Sequence, residues 1–529
     1  MAVAAVHVLV FPWPLQGHIN TFVPFSAALV DSGVHVTFLH TDHNLRRARC
    51  TAAPPPRLRY MSIPDGLPED HPRSVGDIST LMESMWTTGS AAYRALLLSL
   101  SSSSSSTGRG VGAGEPFPPV TCVVADGIMN FAIDIAEELG VPALAFRTAS
   151  ANSFSVYLAV PRLLELGETP LPADDPVRGV PGMEGFLRRR DLPRLAPAAA
   201  AGHRPTEGEG ETAAGVHPFL LTVAKGIADC GRARALVLNT AASLEGPALA
   251  RIATHMRDVF AIGPLHAMAP PAPPAGSLWR EDDGCVAWLD GHADRSVVYV
   301  SLGSLAHISR VEFTEFLSGL LATGYPFLWV LRPDMVVGGA AEDDEAAAAL
   351  RRAVVDGKVR VVEWAPQRDV LRHRAVGCFL THSGWNSTME SVVEGVPMVC
   401  WPFFADQHIN SRFVEAVWRV GLDMKDACDR AMVRSMVTEA MESGEIRQSV
   451  QALAERVRRD VAAGGSSETR VQAAPQFHHR AQLHHVPWPE SGLRIRITVT
   501  SGIKSEYFFF LVSGDFRQLI SFNYLRNTC

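Results

Sequence analysis

Ten short apolar runs alternate with longer stretches of helical period along most of this 529-residue chain. They are Val6–Phe11, Val34–Leu39, Thr121–Ala125, Ala143–Phe146, Ala235–Asn239, Val297–Ser301, Phe327–Leu331, Val359–Val362, Cys378–Thr381 and Met398–Trp401. Most are continuous rather than alternating, which is what a strand requires when helices cover both of its faces. Strands that alternate with helices predict parallel sheets of the doubly wound α/β type, and two sheets suit this length better than one. With 47% apolar and 19% charged residues, the chain can bury a large core and is not disordered as a whole.

The charge balance, 48 Lys plus Arg against 55 Asp plus Glu, gives a net −7 and argues against a general nucleic-acid binder or a basic membrane-surface protein. None of the eight cysteines forms a Cys-x-x-Cys pair, and several lie inside apolar runs, so they read as free thiols in a reducing, cytoplasmic compartment. No stretch of 18 uninterrupted apolar residues predicts a membrane span. The apolar start, Met1 to Phe11, lacks a basic leader and reads as a first strand rather than a signal peptide.

The Pro-rich segment Ala267–Ser277 blocks helix and ladder alike and marks a stiff connector. It divides the chain into an N-terminal domain (1–266), a linker (267–277) and a C-terminal domain (278–467), followed by an atypical tail (468–529). The serine run Ser101–Ser106 and the Ala198–Gly215 stretch read as surface insertions. In the tail, His478, His479, His484 and His485 have a spacing that does not gather them into a metal site, and no carboxylate or cysteine completes a set.

Chemistry concentrates between Trp364 and Gln407. A strand ends at His382, Ser383-Gly384 makes a tight turn, and Asn386 opens a helix that stops at Gly395. Such a junction aims backbone N–H groups and the positive helix end at one point, which favours a phosphate. His382, Asn386 and Ser387 add donors there, and Glu390, one turn further on, could accept from ribose hydroxyls. Trp364 offers a flat face for a base, beside Ala365 and Gln367. Asp406 and Gln407, at the end of a further strand, suit sugar hydroxyls. Taken singly, Trp364, Trp385 and Trp401 read as core residues, His382 as a turn histidine, and Asn386 and Ser387 as helix caps.

In succession these residues, 44 positions without a gap, resemble the signature box of the plant-type family 1 UDP-sugar-dependent glycosyltransferases. The resemblance runs from about Val6 to Ser467 and includes Ser301-Leu302-Gly303-Ser304, similar to the family's loop at the diphosphate. It implies the GT-B fold, two Rossmann-like domains facing across a cleft, with UDP-sugar contacts from Ser304, Trp364, Ala365, Gln367, His382, Trp385, Asn386, Ser387, Glu390, Asp406 and Gln407. It also implies a catalytic His18, within Pro14-Leu15-Gln16-Gly17-His18-Ile19-Asn20, oriented by Asp126 at the end of another strand. This sequence has Thr21 where the family often has proline; either residue suits a helix start, so the change is expected to matter little.

The implied reaction is inverting transfer of glucose from UDP-glucose to a hydroxyl or carboxyl of a lipophilic small molecule, by a monomer, with no metal or other cofactor. Gln407 favours glucose over galactose by the same resemblance. Trp13, Trp86, Met129, Phe131, Arg147 and Phe154 are the expected acceptor lining. Phe146-Arg147-Thr148 and Met183–Leu192 look most like members acting on terpenoid or iridoid acids and alcohols. Arg147 reads either as a partner for an acceptor carboxylate or as half of a structural ion pair. After Gly464-Gly465-Ser466-Ser467 the family continues as a helix packed on the first domain, and here that helix reads as replaced from Glu468 onward. The tail then reads as disordered or as a misread junction, and the rival function is a UDP-sugar-binding protein that has lost turnover. A nicotinamide oxidoreductase is excluded, because Gly110-Val-Gly-Ala-Gly has the wrong spacing and follows no strand.

Overall fold

The computed structural model describes residues 5–48, 54–71, 73, 78–102, 117–168, 174–193, 218–268, 278–337, 345–425, 428–472, 496–502, 505–511 and 521–523. The first sheet contains β1 (His7–Phe11), β2 (His35–Thr41), β3 (Leu58–Ile63), β4 (Cys122–Asp126), β5 (Ala143–Arg147), β6 (Ala235–Leu238) and β7 (Val259–Ala261). Its order is β3-β2-β1-β4-β5-β6-β7, all parallel. The second contains β8 (Val297–Ser301), β9 (Phe327–Val330), β10 (Val359–Val362), β11 (Val376–Thr381), β12 (Met398–Cys400) and β13 (Gly421–Asp423). It too is parallel throughout, ordered β10-β9-β8-β11-β12-β13.

Both faces of each sheet are covered, as the continuous runs require. Val8 and Val10 pack with Ile19, Phe22 and Phe25, whereas Leu9 and Phe11 pack on the opposite face with Tyr93 and Phe131. Val298 and Val300 meet Phe316 and Leu320, while Val297 and Tyr299 meet Met389 and Val392. All ten predicted runs are strands. The three in these sheets that sequence reading missed, β3, β7 and β13, lie at sheet edges: β3 and β7 are only partly buried, and β13 is a three-residue Gly-Leu-Asp strand, so none has an unbroken apolar run.

In each sheet the strand order reverses once, between β1 and β4 and between β8 and β11. Open parallel sheets bind ligands at that switch point, beyond the carboxyl ends of the strands. Met1–His478 form one compact unit that holds both sheets. The indole of Trp385 donates to the Asn239 carbonyl at 2.8 Å, and the Ser243 amide donates to Asp460 at 3.0 Å. Met183, Leu187 and Leu192 pack against Ile409 and Phe413, so the Met183–Leu192 segment acts as a strut against the second half. Beside it, buried Lys425 lies 2.6 Å from Asp191 and 2.5 Å from Asp423.

Two boundaries differ from expectation. The linker reading begins inside a short helix, Leu265–Met268; residues 269–277 lie outside the described residues. At the other end, the crossing helix is not replaced at Glu468. Ser466–Gln472 is helical, Val471 packs on the cluster around Val8 and Val10, and Arg470 donates to the Ala261 carbonyl of β7 at 3.4 Å. The tail also carries regular structure: residues 479–529 form a second unit, in which β14 (Arg496–Gly502), β15 (Ser505–Leu511) and β16 (Ser521–Asn523) pair antiparallel. The Ala198–Gly215 insertion, most of the serine run, the Gly110 segment and the tail histidines lie outside the described residues. Among the described residues, no helix is long and apolar enough to cross a membrane, and the six described cysteines are free.

Candidate active site

The first half contributes an imidazole and a buried carboxylate. The helix after β1 is Gln16–Asp31, so His18 stands in its first turn. Its Nδ1 lies 2.6 Å from Asp126 Oδ2 and 2.9 Å from Thr148 Oγ1. Asp126 closes β4 and is wholly buried, and it also accepts from the amides of Trp13 at 3.3 Å and Ile128 at 3.2 Å. Burial opposes its charge, yet His18, Arg147 and the Ile128 amide together hold the carboxyl below its ordinary range. A carboxylate only accepts, so the imidazole proton sits on Nδ1 and the basic lone pair is on Nε2. With 21% of its side chain exposed, His18 can present that atom to the cleft.

The second half contributes a turn built around a second histidine. His382 follows β11 and packs so closely on two glycines that a Cβ at either Gly303 or Gly384 would come 2.5 Å from its Nε2. Gly303 also has φ +74°, a conformation open to glycine at little cost. Burial first, and Arg332 second, push the His382 imidazole down to about 4, so it is neutral at working pH and can donate one N–H. Sequence reading missed Arg332, which is buried and donates to the carbonyls of Gly303 and, at 2.8 Å, Ala306. It thereby holds the loop that carries Ser304. Asn410 was missed too: its Nδ2 donates to the Ser383 carbonyl at 3.0 Å and to Asp406 at 2.8 Å. Ser383 has φ +62°, and this clamp helps to hold its strained backbone.

Around the turn, Gln367 donates to Glu390 at 2.6 Å and to Ser387 at 3.0 Å, and it accepts from Tyr299 at 3.2 Å. Glu390 is lifted to about 7 by burial, opposed by Gln367. Trp364 stacks on Trp279 with centroids 5.6 Å apart, next to buried Ala365. Gln407 accepts from the amides of Phe403 and Phe404 through Oε1, so only its NH₂ is uncommitted to that loop. Asp406 is raised by burial, opposed by its hydrogen bond from Asn410 and by the Arg147 charge across the cleft.

Two expectations need correction. The Trp385 side chain is buried in the seam between the halves, which leaves only its backbone amide at the helix start for a ligand. The Asn386 side chain bridges the cleft: Nδ2 donates to the Gly17 carbonyl at 2.7 Å, and Oδ1 accepts from the Thr21 hydroxyl at 3.0 Å. Thr21 is therefore not an indifferent substitute for proline, which has no hydroxyl to offer. On the acceptor side, Trp13, Met129, Phe131 and Phe154 are buried in one cluster, with Trp86 half-buried against Trp13 and Phe131.

Comparison with known proteins bears on the family and the fold. The family described as UDP-glucoronosyl and UDP-glucosyl transferase matches residues 276–449. The chain is 42% identical to a myricetin 3-O-rhamnoside 1,2-glucosyltransferase of Crocosmia x crocosmiiflora, over 88% of this chain and 94% of that one. It is 39% identical to a 7-deoxyloganetic acid glucosyltransferase of Catharanthus roseus, over 89% and 97%. Among solved structures, Os79 from O. sativa in complex with UDP superposes with a TM-score of 0.70 at 26% identity, covering 90% of this chain and 100% of that one.

Proposed function

The chain belongs to the plant-type family 1 UDP-glycosyltransferases, with the two-domain GT-B fold, and from that premise we propose an inverting glucosyltransferase that uses UDP-glucose. The acceptor is a hydroxyl or carboxyl of a lipophilic small molecule, and the product is a β-glucoside. The observation that carries the reading is the bond from Asn386 to Gly17, which sets the diphosphate turn beside the residue preceding His18.

In this reading His18 Nε2 takes the acceptor proton while the acceptor oxygen attacks the anomeric carbon from the face opposite UDP. The C–O bond to the diphosphate breaks with inversion of the α-linkage. Asp126 keeps the proton on Nδ1 and stabilises the imidazolium. The leaving UDP is met by Ser304, His382, Ser387, the second amide position of Asn386 and the helix-end amides at Trp385 and Asn386, so the step needs no divalent metal. Trp364 stacks on the base, with Ala365 and Gln367 at its edge. Glu390 accepts from the ribose, and Asp406 with Gln407 holds the hexose. Alignment supplies much of the acceleration.

Conjugation of lipophilic metabolites, as the names of the two relatives suggest, fits a cytoplasmic monomer. The retained helix Ser466–Gln472 supports turnover over the reading of an inactive binding protein, because it ties the second half to β7. The test is a panel of phenolic, flavonoid and terpenoid acceptors offered UDP-glucose and UDP-galactose in competition. Glucosides formed faster than galactosides support the reading. UDP binding without transfer or hydrolysis of the sugar would overturn it.

A further inference from the structure

Arg147 ends β5, between Asp126 at the end of β4 and the last residue of β6. It is only 4% exposed, yet its Nε and Nη1 are buried with no hydrogen-bond partner. A guanidinium buried in this way carries a large desolvation cost that native structures seldom leave unmet. The ion pair that sequence reading allowed is not formed: Asp126 and Asp406 act on the same charge from two sides, but neither is within bonding reach of it. Asp126 instead spends its oxygens on His18, Trp13 and Ile128, and Asp406 accepts from Asn410.

The placement of this group is also specific. The Arg147 stem lies against Gly127, where an added Cβ would come 2.5 Å from Arg147 Cδ, so the backbone leaves room for that side chain. The next residue, Thr148, touches His18 Nδ1 at 2.9 Å. Arg147 also lies near Tyr157, which belongs to the apolar cluster of Trp13, Met129, Phe131 and Phe154. Arg147 and His18 act on the same two carboxylates, Asp126 and Asp406, so an acceptor held at His18 stands beside this unmet planar cation.

We propose that Arg147 is an anion subsite of the acceptor pocket, and that the acceptor carries a carboxylate which it binds while a hydroxyl of the same molecule faces His18. The proposal rests on the glucosyltransferase reading and deepens it. A carboxylate matches the fork of N–H groups in shape and charge, which a neutral ester cannot do. Hydrogen bonds to a charged partner of this kind correspond to about 10–100-fold in affinity.

The experiment compares hydroxy-acids with their methyl esters: a cyclic monoterpenoid pair and a p-hydroxycinnamate pair, each with UDP-glucose. Wild type should favour the acid by about 10–100-fold in kcat/KM, mainly through KM, with an alkali-stable glucoside as product. In Arg147→Met the acid-to-ester ratio should fall to near one, and Arg147→Lys should restore part of it. Equal use of acid and ester by wild type overturns the subsite while leaving the glucosyltransferase reading intact, because esters are then still glucosylated. An unchanged ratio in Arg147→Met also overturns it. If Arg147→Met does not fold, the wild-type ratio alone decides. Failure of wild type to glucosylate any member of the panel, with UDP-glucose bound, would instead remove the glucosyltransferase reading.

Discussion

At the ends of β4 and β5 the molecule buries charge: Asp126 is enclosed beside His18, with the Arg147 guanidinium next to it. At the ends of β8 and β11 it presents neutral dipoles. His382 is pushed down to about 4 by burial and by Arg332, whose guanidinium is spent on loop carbonyls behind the turn, and Ser304, Asn386 and Ser387 carry no charge. The difference follows what each side must meet. A proton acceptor needs a fixed charge to stabilise the cation it becomes, whereas a diphosphate brings its own charge and needs preorganised donors. Each half can be broken separately, and the expected losses differ in kind.

The largest effect belongs to the charged side. His18→Ala should lower kcat by about 10²–10⁴, the usual range for a lost general base. Asp126→Asn should also fall steeply, because an amide no longer fixes the tautomer. Both variants should bind UDP-glucose normally by calorimetry. A weakened donor affinity in either would show that the halves do not divide the work as described.

Buried charge also joins the halves, at Lys425 between Asp191 and Asp423. Lys425→Met removes the closest cation of two buried carboxylates and leaves only the longer contacts of Arg188 and Arg412, at 3.5 to 3.9 Å, so it should cost about 3–5 kcal/mol in a denaturant titration. A loss below about 1 kcal/mol, the range of exposed pairs, would mean that water reaches the cluster.

Much of this comparison could be read from the chain, but unevenly. The central strands declare themselves because helices on both faces demand unbroken apolar runs, and an edge strand such as β3, only partly buried, escapes for the opposite reason. His18 and Asp126 were found through the family resemblance, helped by their places after β1 and at the end of β4. Thr21 and Asn386 lie 365 positions apart, and nothing in either neighbourhood announces the other. Arg332 and Asn410 were invisible for the same reason: each acts on a backbone carbonyl of a distant turn, and a carbonyl leaves no mark in the sequence.

The neutral side offers a pH test. Ribose hydroxyls donate to an ionised Glu390, so donor binding favours the carboxylate. With the empty-site value at about 7, affinity for UDP-glucose should be flat above that pH and weaken below it. The loss should approach about tenfold per pH unit, by proton linkage. Glu390→Gln should bind more weakly and lose the slope. UDP-glucose suits the test better than UDP, whose terminal phosphate titrates in the same range. A wild-type profile that is flat down to about pH 5.5 would mean that Glu390 stays ionised without ligand, against the burial argument.

Thr21→Val gives the smallest effect and the sharpest test of the boundary between the two sides. Valine keeps the shape but removes the hydroxyl that donates to Asn386 at 3.0 Å. One neutral hydrogen bond is worth about 0.5–1.5 kcal/mol, so the cleft should close about 3- to 10-fold less favourably. The remaining bond from Asn386 to the Gly17 carbonyl limits the damage. If the bridge serves to align His18 with the sugar, kcat falls and the Kd for UDP-glucose hardly moves, since the donors of the second half are untouched. Weaker donor binding with unchanged kcat would instead show that Thr21 helps to orient Asn386 toward the diphosphate. In that case the first half would supply part of the phosphate site, and the division into a charged side and a dipolar side would be too simple.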